Sequence, residues 1–76
     1  MIKELDTIVL SHDVEAYGLK QGDIGAVVHV YKGGAAYEVE FVTGEGETVA
    51  VLTLAAQDIR LMNEYEILHV RELVTV

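Results

Sequence analysis

The chain contains no cysteine, so neither a disulfide nor a thiolate metal site can stabilise it. It has only five lysines and arginines against 13 aspartates and glutamates, and its net charge of −8 disfavours contact with nucleic-acid phosphates. Its apolar runs, such as 49–52, are far shorter than the ~20 residues that a membrane span requires. Acids at Glu4 and Asp6 interrupt the apolar run of a signal peptide, which predicts a cytoplasmic protein.

What the chain does have is apolar content: 51% of its 76 residues are hydrophobic and 24% are charged, which is typical of a globular protein. A domain of this size buries only roughly 60–65% of its unfolded surface, and small domains usually add a disulfide, a metal or a second subunit. Without cysteine, oligomerisation is the expected supplement. The acidity is uneven: residues 1–37 carry a net −2 and residues 38–76 a net −6, which favours basic partners or simple solubility.

Short runs of β-branched and aromatic residues, separated by glycine-containing turns, predict an all-β domain. The runs cover 5–10, 25–31, 37–41, 48–54 and 59–62, and 55–58 is typical of one 3₁₀ turn. Five strands with a 3₁₀ turn before the last predict a small SH3-like barrel over residues 1–62.

The run 37–41 alternates strictly, which places Tyr37, Val39 and Phe41 on one face and Glu38 and Glu40 on the other. The same reasoning gives an expected core of Leu5, Val9, Val28, Val30, Val39, Phe41, Leu54 and Ile59. The runs 27–31 and 49–54 are apolar on both faces, which predicts that something covers the outside of the sheet.

Residues 63–76 lie beyond the fifth predicted strand and carry too much apolar surface for a solvated tail. Their β-branched content favours a C-terminal strand that packs either on its own barrel or on a second subunit. We expect a homodimer, with an interface formed by Ile67, Leu68, Val70, Leu73, Val74 and Val76.

The sequence offers no catalytic constellation. Ser11, His12 and Asp13 have the residue types of a catalytic triad, but consecutive side chains of an extended segment point to alternate faces and cannot converge. The three histidines lie in unrelated runs without the short spacing of metal ligands, although His29 and Glu38 can be cross-strand neighbours. We therefore predict no enzyme activity, no metal and no cofactor.

Four carboxylates form an acidic cluster on the predicted outer face of the third strand and in the turn that follows it. They are Glu38, Glu40, Glu45 and Glu47, and we predict that they bind a partner.

Several segments resemble the small bacterial family catalogued as domain of unknown function 4926. They are 4–10, 18–31, 37–41, 53–54, 58–60 and 66–71. The resemblance implies an SH3-like barrel of uncharacterised role, and it supplies no catalytic residues. The spacing of Gly22, Gly25 and Val27 is also similar to that of KOW-type SH3 barrels, which bind ribosomal RNA and the transcription machinery and are usually basic on that face.

The sequence thus favours a non-enzymatic protein-interaction module, of an antitoxin- or immunity-like kind, that offers an acidic face to a basic partner and binds neither nucleic acid nor membrane. One alternative is a KOW-like accessory domain that acts with RNA or with the transcription and translation machinery. The other alternative is a barrel that binds a small molecule in its mouth.

Overall fold

Five antiparallel strands and two isolated 3₁₀ turns make up the computed structural model, which describes residues 1–74. The strands are β1 (Thr7–Leu10), β2 (Ile24–Tyr31), β3 (Ala36–Val42), β4 (Thr48–Leu54) and β5 (Ile59–Leu61), and the 3₁₀ turns are Glu15–Tyr17 and Ala56–Asp58. The predicted all-β class is confirmed. None of the 74 residues belongs to a helix long and apolar enough to cross a membrane.

The strands form one sheet in the order β4–β3–β2–β1–β5, which is compatible with the predicted SH3-like barrel. Strands β2, β3 and β4 follow one another as hairpins, and the β2–β3 turn takes positive φ angles at Lys32, Gly33 and Gly34. Strand β1 pairs on one side with β2 and on the other with β5. Its residues Ile8, Val9 and Leu10 are all buried; Ile8 and Leu10 belong to the main hydrophobic core, and Val9, on the opposite face of the strand, lies outside that cluster.

The alternation predicted for β3 is confirmed, since Tyr37, Val39 and Phe41 are buried in the core. Of the remaining predicted core residues, Val9, Leu54 and Ile59 are buried and Val30 is partly buried against the core.

Two predicted core residues are exposed, and each has a backbone cause. Val28 is 42% exposed because β2 contains a bulge, where Val27 pairs with Val39 and His29 already pairs with Glu38. The extra residue shifts the alternation, so Val27 rather than Val28 enters the core. Leu5 is 85% exposed because it lies in a turn with a φ of 74°, two residues before β1 begins.

The C-terminal segment, 63–74, contains no strand, in contrast to the strand predicted for it. A turn closed by the Glu66 amide and the Asn63 carbonyl redirects the chain after β5. From residue 67 to residue 74 the backbone makes no hydrogen bond to other backbone groups of residues 1–74. Side chains, not a strand pairing, hold this segment against the sheet.

Candidate partner-binding face

The outer face is the side of β2, β3 and β4 that points away from the core. Its central strand carries Glu38 and Glu40, both half-buried. Cross-strand pairing places Glu38 between His29 and Thr53, and it places Glu40 between Ala26 and Val51. The structure therefore brings the two strand carboxylates of the predicted acidic cluster onto one face.

Two hydroxyl groups hold the Glu38 carboxylate. Thr53 Oγ1 donates a hydrogen bond to Glu38 Oε1 at 2.6 Å, and Tyr31 Oη donates to the same oxygen at 3.1 Å. The hydrogen bond to Glu38 raises the pKa of Tyr31, because ionisation of the phenol would remove the donor. His29 packs edge-on against Tyr31 with ring centroids 4.6 Å apart. The predicted cross-strand pairing of His29 and Glu38 is confirmed.

Glu40 is held in the same way from β4. Thr48 Oγ1 donates a hydrogen bond to Glu40 Oε2 at 2.7 Å. Each carboxylate thus has one oxygen fixed by hydroxyl donors. Its other oxygen, Oε2 of Glu38 or Oε1 of Glu40, accepts no hydrogen bond from residues 1–74.

Exposed valines lie beside the carboxylates. Val51, the cross-strand neighbour of Glu40, is 48% exposed. Val28, at the bulge in β2 on the other side of β3, is 42% exposed. The outer face is therefore mixed, with apolar side chains next to oriented anions. This arrangement agrees with the prediction that β2 and β4 carry apolar residues on both faces.

The other two predicted partner-binding residues, Glu45 and Glu47, lie in the exposed turn between β3 and β4. Thr43 closes this turn: its amide donates to the Glu47 carbonyl at 2.8 Å, and its hydroxyl accepts from the Glu47 amide at 3.2 Å. The hydroxyl that holds Glu40 belongs to Thr48, the residue after Glu47. The turn carboxylates thus continue the acidic surface from the end of the outer face.

The predicted dimer-interface residues fall into three groups. Most are strongly exposed: Ile67, Leu68, Val70 and Val74 are 91, 64, 88 and 70% accessible. Leu73 is half-buried, and Val76 lies outside the described residues.

Arginine–carboxylate pairs fix the C-terminal segment at two points. Arg60 donates two hydrogen bonds to Glu66, at 2.7 and 2.9 Å, and this pairing lowers the pKa of Glu66 to about 2. Arg71 donates to both oxygens of Asp23 and to the Gly18 carbonyl. Burial, the largest single influence, would raise the pKa of Asp23, but the hydrogen bonds from Arg71 and from the Lys20 amide, together with the charges of both residues, outweigh it and lower that pKa.

A groove of about 280 Å³ runs between the C-terminal segment and the β3–β4 end of the sheet. Its apolar lining includes Leu19, Phe41 and Val49, and its polar rim includes His69 and Arg71. The guanidinium of Arg71 is already engaged by Asp23 and Gly18, so little polar chemistry converges on the groove.

The side chains of His12 and Asp13 are held by separate partners, and the Ser11 side chain makes no hydrogen bond within residues 1–74. His12 Nε2 hydrogen-bonds Asp58 Oδ1 at 2.7 Å, and Asp13 Oδ1 accepts from the Gln21 amide at 2.8 Å. The hydrogen bond to Asp58, helped by the Asp13 carbonyl, raises the pKa of His12. Asp58 could not be predicted as the partner of His12, because 46 residues separate the two in the sequence.

Comparison with protein families gives a match over residues 4–61 to the family described as a domain of unknown function (DUF4926). The matched region runs from the turn before β1 to the end of β5, so the C-terminal segment lies beyond it. Comparisons with curated proteins and with solved structures gave no match.

Proposed function

The chain belongs to the DUF4926 family, and we propose that it is a non-enzymatic protein-interaction module whose outer face binds a basic partner. One observation carries this proposal: hydroxyl groups hold Glu38 and Glu40 in place beside the exposed side chains of Val28 and Val51. Lysine and arginine combine an apolar stem with a cationic head, which matches this pairing of valine and carboxylate.

The fixed orientation of the Glu38 and Glu40 carboxylates supports the proposal. Because Thr53, Tyr31 and Thr48 fix one oxygen of each carboxylate, the partner need not order these side chains on binding, and the entropic cost falls. Each carboxylate keeps a second oxygen for a charge-assisted hydrogen bond from lysine or arginine. A partner that inserts such residues, as the target of an antitoxin- or immunity-like protein would, fits this surface.

The charge distribution gives less support to the RNA-binding alternative. Two of the five lysines and arginines, Arg60 and Arg71, are paired with Glu66 and Asp23. Phosphate binding depends on cationic side chains that are available to neutralise it. The small-molecule alternative is weaker for a related reason, because the groove beside the C-terminal segment has its only arginine already engaged.

The proposal can be tested by capture from an extract of the source cells on immobilised protein. The wild type is compared with a variant that carries Glu38→Gln and Glu40→Gln. The control carries Glu64→Gln and Glu72→Gln, which changes the net charge equally on the C-terminal segment. We expect one or a few basic proteins to be retained by the wild type and the control, lost by the outer-face variant, and released as salt rises.

Retention of the same proteins by the outer-face variant would contradict the proposal. So would retention that falls equally in both variants, since that result would reflect net charge alone and not the outer face.

A further inference from the structure

Strand β4 forms an open edge of the sheet. Within residues 1–74 it pairs only with β3, and residues 49–54 make no backbone hydrogen bond outside that pairing. Its sequence, Thr48–Leu54, contains no charged residue, no proline and no glycine. Soluble proteins usually protect a sheet edge with charges, proline, short strands or a covering segment, and a long apolar edge without them pairs readily with another strand.

The other edge of the sheet has the protection that β4 lacks. Strand β5 is only three residues long, and its central residue is Arg60. Arg60 is tied to Glu66 in the turn that follows, which places that turn next to the strand. One edge of the sheet is protected and the other is not, which indicates that another strand covers the β4 edge.

We propose that β4 pairs with β4 of a second copy of this chain, antiparallel and around a two-fold axis centred at Val51. The pairing makes one continuous ten-stranded sheet from the two copies. It does not depend on the proposed function of the outer face.

A second copy of this chain is the favoured partner for the β4 edge, because two identical β4 strands can pair in a self-complementary register. Around a two-fold axis at Val51, Ala50 of one copy lies opposite Leu52 of the other. This pair joins a small and a large residue on the inner side, and Val51 meets the identical β-branched residue on the outer side, where cross-strand contacts stabilise a sheet. A bulge at Val49, between the pairs Phe41–Ala50 and Val42–Thr48, leaves the strand regular from residue 50 onward.

The charge distribution is also compatible with this contact. The nearest outer-face carboxylate is Glu40, one strand inside Val51. With a strand spacing of ~4.8 Å, the Glu40 residues of the two copies are three strands, or about 14 Å, apart. This distance exceeds the Debye length of ~8 Å at physiological salt, so the two acidic bodies can meet along their uncharged strand. Salt should tighten the dimer.

The two-fold axis is perpendicular to the sheet, so both outer faces lie on the same side of the dimer. Val51 of each copy then lies beside Val51 of the other, which covers part of an exposed apolar side chain. The C-terminal segment takes no part in this interface.

The test uses the full-length protein, in which an introduced cysteine is the only thiol because the natural sequence has none. We expect sedimentation to show a dimer at tens of micromolar, with an affinity that falls ~10-fold or more in Val51→Glu and is retained in Val51→Thr. Opposite residues of an antiparallel pair lie within disulfide reach. Under mild oxidation, Val51→Cys should therefore cross-link the dimer rapidly, whereas Val70→Cys, on the exposed C-terminal segment, should not.

A wild type that stays monomeric in moderate salt would overturn the proposal. A dimer that cross-links through Val70→Cys and not through Val51→Cys would also overturn it, and would place the interface on the C-terminal segment instead. If Val51→Glu fails to fold by circular dichroism, the two single-cysteine variants still decide the question.

Discussion

Gly25 of β2 is buried beneath the side chains of Val39 and Phe41 of β3, and we expect its replacement by alanine to destabilise the protein. An added Cβ would lie 2.6 Å from Val39 Cγ1, 2.8 Å from Phe41 Cε1 and 3.1 Å from the Glu40 carbonyl oxygen. Val39 and Phe41 are 0 and 2% exposed, so neither side chain has solvent into which it can move. Strands β2 and β3 would therefore have to move apart.

The size of the effect follows from these distances. Carbon atoms prefer separations of ~3.5–4.0 Å, so both contacts must lengthen by about 1 Å. Overpacking of this kind costs roughly 1–3 kcal/mol, and about 0.5–1 kcal/mol is recovered because alanine loses less backbone entropy than glycine on folding. We expect a net loss of about 1–2 kcal/mol. For a domain of this size, that loss lowers Tm by roughly 4–16 °C.

Urea unfolding followed by circular dichroism measures the loss. Gly44→Ala is the matched control, because its Cβ would meet no atom within 4 Å and its φ is not positive, and its free energy of unfolding should change by less than about 0.5 kcal/mol. Val39→Ala removes one of the clashing methyl groups, so the two substitutions together should be less destabilising than their sum, by about 1 kcal/mol. A Gly25→Ala protein as stable as the wild type, or a strictly additive double variant, would refute this close packing of Val39 and Phe41 against Gly25.

Further predictions concern the ion pairs and the surface. Arg71→Gln should lower the free energy of unfolding by about 1 kcal/mol and speed proteolysis within residues 63–74, because it removes the ion pair that fixes that segment; unchanged cleavage would contradict this role. The hydrogen bond to Asp58 raises the pKa of His12, so its contribution to stability is complete below pH 6.5 and is lost as the pH rises through the raised value. The urea midpoint should therefore fall across that range in the wild type, and less so in His12→Asn. Ser11→Ala should leave stability unchanged and Asp13→Ala should cost about 1 kcal/mol, since only the latter accepts a hydrogen bond from a backbone amide; equal costs would contradict the assignment. Finally, the acidic surface should give no measurable binding to RNA or DNA at physiological salt, and micromolar binding that weakens steeply with added salt would show the charge argument to be wrong.

Local alternation was enough to predict the strands that have one clear buried face. In β3 the alternation of Tyr37, Val39 and Phe41 with two glutamates specifies both the strand and the face that it buries. In β2 the same reasoning gave the wrong valine, because Val27 and Val28 are equally apolar and nothing in their sequence marks a bulge. The apolar pattern predicts Leu5 in the core, because such a pattern does not reveal a positive φ.

The carboxylates of the candidate site could be predicted from the sequence, but their hydrogen-bond donors could not. The two strand carboxylates, Glu38 and Glu40, followed from alternation, whereas the hydroxyl donors Thr48 and Thr53 depend on the register between β3 and β4. Pairs that are distant in sequence, such as Arg71 with Asp23, depend on the path of the C-terminal segment and left no local signal.

The position of β1 in the sheet determines when the chain can finish folding. Strands β2, β3 and β4 are joined by short hairpins and can pair as soon as they are synthesised. Strand β1 is made first, but one of its edges is occupied only by β5, through pairs such as Leu10 with Ile59. Contacts so distant in sequence form slowly. A nascent chain released before residue 59 would therefore leave the apolar strand β1 as an unpaired edge, so premature termination would produce a species that aggregates instead of a smaller soluble fragment.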